Sequence, residues 1–219
     1  MDLAEAKKIT PDARRNAILD IAHAAFMRDG YAGASMSRIA AELGGSKTTL
    51  YNYFASKKEL FVAVAERECA SLFDQLFAFD ESVGDFRLAM RDLAKRILTE
   101  MLSDRLVNGY RLIVAESARF PEVGQAANEI ALEQGLARLS AYFRRVIEAG
   151  QMRQADPKLA AEQFFDLACG HLHKQRLWNV LSRVTADQIE EEAERVTGTF
   201  LAAFGNEEIS RAARQFAGD

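Results

Sequence analysis

Four hydroxyl side chains, Thr10, Ser35, Ser46 and Ser56, each stand directly before a run whose apolar positions recur at helical spacing. A hydroxyl there accepts a hydrogen bond from one of the free amides that open a helix. The pattern divides the first third of the chain into four helices. Pro11 follows Thr10 at the first helical position, where a missing amide costs nothing. Behind it Ile18, Ile21, Ala22, Ala25 and Phe26 line one face, and Asp29-Gly30 closes the helix with a residue suited to a left-handed cap. Met36, Ile39, Ala40 and Leu43 give a short second helix its apolar face, and Gly44-Gly45 interrupts the chain. A third helix runs from Lys47 to about Tyr53, with Leu50 and Phe54 turned to the core. Ser56 with Glu59 three residues on has the form of a capping box and opens a fourth helix, predicted to reach about Phe79.

Prolines are few, only Pro11, Pro121 and Pro157 in 219 residues, so the remainder reads as long helices. The spacing predicts them near 85–104, 106–119, 122–149, 157–182 and 187–204, with a short one near 207–216. Gly84, Phe120-Pro121, the stretch Gly150 to Pro157, and Thr185 as a cap are the punctuation. No segment alternates apolar and polar residues with period two, so no sheet is expected. The fold class is all-α, with a three-helix N-terminal domain over residues 10–56 and a helical C-terminal domain over residues 57–219.

Charge and composition narrow the function. The formal net charge is -4, unlike that of a general nucleic-acid binder, yet residues 1–60 hold nine Lys/Arg against seven Asp/Glu, whereas the rest holds 19 against 25. Phosphate attraction is local, screened within roughly 8–10 Å, so a mildly basic head on an acidic body is compatible with DNA binding. Cys69 and Cys169 are far apart without metal-ligand spacing and read as free thiols. His171 and His173, two apart on a helix, point about 200° from one another and cannot close on one ion; His23 stands alone, and no metal or cofactor is expected. No phosphate loop, dinucleotide-binding glycine fingerprint or nucleophile elbow occurs, and no carboxylate pair has an apolar setting, so an enzyme is not expected. No apolar run reaches the roughly 18 residues a membrane span needs, and the N-terminus lacks a signal-peptide pattern. The expected location is cytoplasmic.

Three short helices, the second and third joined at a Gly-Gly turn, have the layout of a helix-turn-helix, in which one helix braces across the DNA backbone and the next enters the major groove. The third helix carries Ser46, Lys47, Thr48, Thr49, Asn52 and Tyr53 on its outer positions, all hydrogen-bonding types. Lysine can approach guanine edges or phosphate, and threonine can bond bases or touch a thymine methyl. Tyr51 and Tyr53 offer hydroxyls to phosphates. Ser35, Ser37 and Arg38 at the start of the second helix, and Lys57 at the start of the fourth, are expected phosphate contacts.

Gly30-Tyr31, Ser35, Ile39-Ala40, Leu43-Gly44, the run Ser46 to Phe54 and the run Ser56 to Phe61 resemble the N-terminal signature of the TetR family of bacterial transcriptional regulators. Gly45 departs from the family's pattern, which commonly has a larger apolar residue there, and this loosens the turn that orients the reading helix. Arg111 to Glu122 resembles the AefR-like branch of the family's C-terminal domains. The resemblance implies a homodimer with two DNA-binding heads on a double-stranded operator, and a C-terminal domain for ligand and dimer contacts.

In such a domain the pocket-lining candidates are Phe73, Phe77, Met90, Met101, Tyr110, Phe120, Phe143, Phe164 and Trp178, with Arg111 and His171 as polar exceptions. Plain core is the alternative for each. Few of these are charged, which suits a small apolar or aromatic effector. The segments near 157–182 and 187–204 resemble the family's dimerising pair, with Leu167, Leu172, Ile189, Val196, Phe200 and Phe204 among the seam residues, intrachain packing being the alternative. Repression is the expected mode and activation the open alternative. A helical module whose partner is another protein is the competing class, and sequence-specific DNA enrichment separates the two.

Overall fold

The computed structural model describes residues 10–77 and 85–216. Phe79 and Gly84, named above as a helix end and a break, lie outside them. The described residues form α1 (Pro11–Gly33), α2 (Met36–Glu42), α3 (Lys47–Tyr53), α4 (Lys57–Leu76), α5 (Phe86–Met101), α6 (Asp104–Ser117), α7 (Pro121–Ala126), a π-helical segment (Ala127–Glu133), α8 (Gln134–Glu148), α9 (Pro157–Ala168), α10 (His171–Leu177), α11 (Ala186–Phe204) and α12 (Glu207–Phe216). The only β pairing among the described residues is an isolated bridge between Met152 and Gly205.

The hydroxyl caps form as read. Thr10 accepts from the Ala13 amide, Ser35 from Arg38, Ser46 from Thr49 and Ser56 from Glu59. The Glu59 carboxylate reaches back to the Ala55 amide rather than to that of Ser56. Thr185 and Gln188 form a complete capping box at α11. Gly30 adopts φ 73° and ψ 171°, a backbone conformation essentially reserved to glycine, and kinks α1 where a left-handed cap was expected.

Two expected helices are interrupted. The one near 122–149 contains the π-helical turn, and the one near 157–182 breaks at Cys169 and Gly170 into α9 and α10.

The chain divides into two compact units: residues 1–68 with 112–127, and residues 69–111 with 128–219. The division falls inside α4 and inside α6, not between residues 56 and 57. The reason is the core: Leu60, Phe61 and Val64 of α4 are buried, and Phe61 meets the rings of Phe26 and Tyr31 at 5.2 Å, so α4 cannot be parted from the head at its first residue.

In the first unit Ile18, Leu19, Ala22, Ala25 and Phe26 of α1 are buried, with Ile39 and Ala40 of α2, Leu50 of α3 and Val123 of α7. In the second unit α5, α8, α9, α11 and α12 enclose a continuous apolar core. Its centre is aromatic: Phe200 lies 5.1 Å from Phe143, and 4.9 Å from both Phe164 and Phe204.

Candidate nucleic-acid interface

The packing of α3 decides which of its residues face outward. Leu50 is fully buried and the Phe54 ring that follows the helix is covered, with the Arg15 guanidinium 5.3 Å from its centre. Opposite this anchor, Lys47, Thr48, Tyr51 and Asn52 are exposed, Tyr51 to 48 %. Offsets of one, four and five residues put these four side chains on one face. Thr49 and Tyr53 are half-buried at its edges, and the Thr49 hydroxyl is engaged by Ser46 at 3.0 Å. The outer face is therefore narrower than the sequence pattern alone indicates.

Helix α2 braces α3 through buried Met36, Ile39 and Ala40. The turn between them closes with Gly44 N–H donating to Ala41 O at 3.0 Å and Gly45 N–H to Ala40 O at 3.2 Å. Gly44 holds φ 67°, which only glycine adopts freely. At the start of α2, Ser35 is spent on the cap, Ser37 is exposed, and exposed Arg38 lies 3.3 Å from Asp29. Asp29 is also bound by Arg28, whose hydrogen bond holds its carboxyl below the usual range.

Lys57 is not an open phosphate ligand. Its ammonium donates to the carbonyls of Tyr31, Ala34 and Ala32 at 2.8, 3.2 and 3.4 Å, and stands 4.6 Å from the Tyr31 ring centre and 5.8 Å from that of Phe120. Carbonyls that end a helix draw a cation inward. The Tyr31 hydroxyl donates to Glu122 at 3.1 Å, and burial together with that carboxylate pushes its pKa up to about 12. Glu116 accepts from the Ala32 amide at 3.2 Å. Glu116, Phe120 and Glu122 thus belong to the first unit although they lie mid-chain, and nothing in the local sequence signals it.

The residues expected to line a ligand pocket are divided between the two units. Phe120 packs in the first unit against Tyr31, at 5.1 Å. In the second unit Phe73, Met90, Phe143 and Phe164 are buried, and Phe77 and Met101 pack partly buried against the core. Arg111 donates to the carbonyls of Leu177 and Arg176 at 3.0 and 2.7 Å, which fixes the end of α10. His171 is exposed and bonds Gln175 at 3.0 Å. Trp178 is 71 % exposed. Tyr110 is exposed, with its ring 5.3 Å from that of His173. His173 itself is only 5 % exposed, its Nε2 has no hydrogen-bond partner, and burial lowers its pKa from the ordinary 6.5. A cleft of about 220 Å³ lies elsewhere in this unit, lined by Gln75, Leu76, Asp92, Lys95, Arg96, Thr99 and Glu100, and holds none of the expected residues.

Of the seam residues, Val196, Phe200 and Phe204 are buried within the chain itself. Leu167, Leu172 and Ile189 are half-buried and keep apolar surface outward. Among the described residues no cluster of histidine, cysteine or carboxylate side chains could hold a metal, and no helix is long and apolar enough to cross a membrane.

A polar helix backed by apolar anchors and braced by a second short helix across a Gly-Gly turn is a helix-turn-helix, and comparison with known proteins agrees. Residues 18–64 match the description of bacterial regulatory proteins of the TetR family. Residues 88–206, more than half of the chain, match the C-terminal domain of AefR-like transcriptional repressors. The chain belongs to the TetR family, and its second half is of the AefR-like kind. Among solved structures, the flavonoid-responsive regulator FrrA is 32 % identical with a TM-score of 0.79, the match covering 90 % of this chain and 99 % of that one. A TetR-family regulator from Mesorhizobium loti is 28 % identical with the same TM-score and the same coverage. The repressor SCO4008 of Streptomyces coelicolor is 42 % identical over 62 residues, 28 % of this chain and 32 % of that protein. The activator FasR of Mycolicibacterium smegmatis is 33 % identical over 106 residues, 48 % of each. The chain thus spans a third to a half of the length of these two curated relatives. Both matched segments are of kinds described for transcriptional regulators.

Proposed function

We propose that the protein is a ligand-responsive repressor that binds a pseudo-palindromic operator as a homodimer. The observation that carries this reading is the exposed face of Lys47, Thr48, Tyr51 and Asn52 on a helix anchored from behind by Leu50 and Phe54. In the dimer two such helices stand about 34–36 Å apart and enter successive major grooves. The half-buried apolar side chains Leu167, Leu172 and Ile189 support a pairing surface on α9, α10 and α11. Ligand response is supported by likeness to the flavonoid-responsive FrrA, and an aromatic-rich second unit suits a small apolar or aromatic effector. An effector that fits one conformer better than the other shifts the population away from the DNA-competent one. Activation is the second reading, supported by likeness to the activator FasR.

The test is selection of bound sequences from random duplex DNA at near-physiological salt, using protein shown to be folded. A consensus of two inverted half-sites is the expected result. Absence of enrichment overturns the reading and directs attention to a protein partner.

A further inference from the structure

Gly45 is a glycine for a reason other than backbone freedom. Its φ is not positive, unlike that of its neighbour Gly44. A Cβ added at Gly45 would instead stand 2.9 Å from Arg14 Nη2, with Leu43 Cδ2 at 3.8 Å and Thr49 Cβ at 4.0 Å. The guanidinium of Arg14 therefore lies in the notch that the missing side chain leaves, over the α2–α3 turn and beside the first turn of α3.

Arg14 is half-buried and makes no side-chain hydrogen bond or ion pair among the described residues. Arg28, Arg38 and Arg67 in the same unit each have a carboxylate partner. A guanidinium carries five N–H donors and no acceptor, and holding it half out of water without an anion is unfavourable. Its neighbour Arg15 stands over Phe54 at the other end of α3. The start of α1 thus sets one cation at each end of the helix that faces the DNA.

We infer that Arg14, seated in the notch at Gly45, is a DNA-phosphate ligand of the head. The inference rests on α3 being the helix that enters the major groove. Arginine matches a phosphate with two parallel N–H···O bonds, and a phosphate contact adds affinity without reading sequence. The departure of Gly45 from the family pattern then makes space for a backbone clamp.

The test is a double-variant cycle with Arg14→Ala, Gly45→Ala and the pair, measured on the selected consensus duplex and on a scrambled duplex of equal length. Arg14→Ala is expected to weaken both duplexes by the same factor. The slope of log affinity against log salt falls by about two for a dimer, so the affinity ratio between about 50 and 200 mM salt shrinks roughly tenfold. Gly45→Ala pushes the guanidinium out of the notch. It is expected to reproduce the Arg14→Ala loss without lowering the melting temperature, and to add nothing when Arg14 is already alanine. Retained affinity and salt slope in Arg14→Ala overturn the inference, as does a loss confined to the consensus duplex. An equal effect of Gly45→Ala in both backgrounds removes the notch from the account. Lys47→Ala with Tyr51→Phe serves as the control. If that pair leaves consensus binding intact, the placement of α3 fails. If it weakens binding while Arg14→Ala does not, only the Arg14 assignment fails.

Discussion

Replacing Lys57 by methionine removes an ammonium and keeps an unbranched stem of similar length. The structure assigns that ammonium three carbonyl acceptors, the shortest at 2.8 Å, and a place over the Tyr31 ring. Hydrogen bonds from a charged donor contribute about 1.5–3 kcal/mol each where buried, and a partly shielded cation–π contact about 1 kcal/mol. Lys57 is half-buried, and water replaces part of what is lost, so about 2 kcal/mol is the reasonable total. For a chain of this size that corresponds to a fall in melting temperature of about 4–8 °C. Melting should be followed by circular dichroism, and operator affinity measured across a salt series at a temperature well below the transition. The expected result is a lower melting temperature with an unchanged salt slope. A free phosphate ligand at the same position predicts the reverse: an unchanged melting temperature, and a slope reduced by about two for a dimer. That second outcome refutes the cage.

Gly30→Ala puts a side chain into a glycine-only conformation and within 2.5 Å of Glu116 Oε1, so a loss of about 1–3 kcal/mol is expected in chemical denaturation. A variant of parental stability would show that α1 does not kink there. His173 is held neutral by burial, its folded pKa lying below the ordinary 6.5, so the unfolded chain takes up its proton first as pH falls. Its contribution is fully present above that value and is lost as pH drops through it; His173→Phe should flatten this part of the profile, and an unchanged profile assigns the acid loss to other groups. Phe200→Ala empties the centre of the four-ring cluster and should cost about 3–5 kcal/mol, read from the shift of the denaturant midpoint.

What the chain discloses about itself depends on how local the cause is. Thr10, Ser35, Ser46, Ser56 and Thr185 announce their helices because a cap involves residues at most three apart. Leu50 and Phe54 fix the outer face of α3 for the same reason, although the engagement of Thr49 by Ser46 trims it. Lys57 was legible as a cation near α3 but not as a captive one, since its acceptors come from residues 23 to 26 positions earlier. The attachment of Glu116 and Glu122 to the head spans 84 and 91 positions and has no one-dimensional trace. Gly45 was visible as an anomaly whose cause, Arg14, lies a whole helix away. The aromatic residues of the second half were legible as candidates for either core or pocket lining, because both use the same residue types. Only three-dimensional placement separates them, as it does for Phe120 and Trp178.

The exposure of Trp178 has a practical consequence for spectroscopy. It is the one tryptophan in the sequence, it sits 71 % exposed just beyond α10, and the folded chain on its own is expected to emit as an indole in water does. Unfolding leaves such a fluorophore in nearly the same surroundings, so emission is a poor gauge of the aromatic core. It is instead a selective gauge of the short loop after α10, which Arg176 holds through the carbonyls of Leu181 and Ser182. A blue shift when protein concentration is raised, or when a small molecule is added, marks an indole that has become covered, and dates that event separately from anything that happens at the DNA.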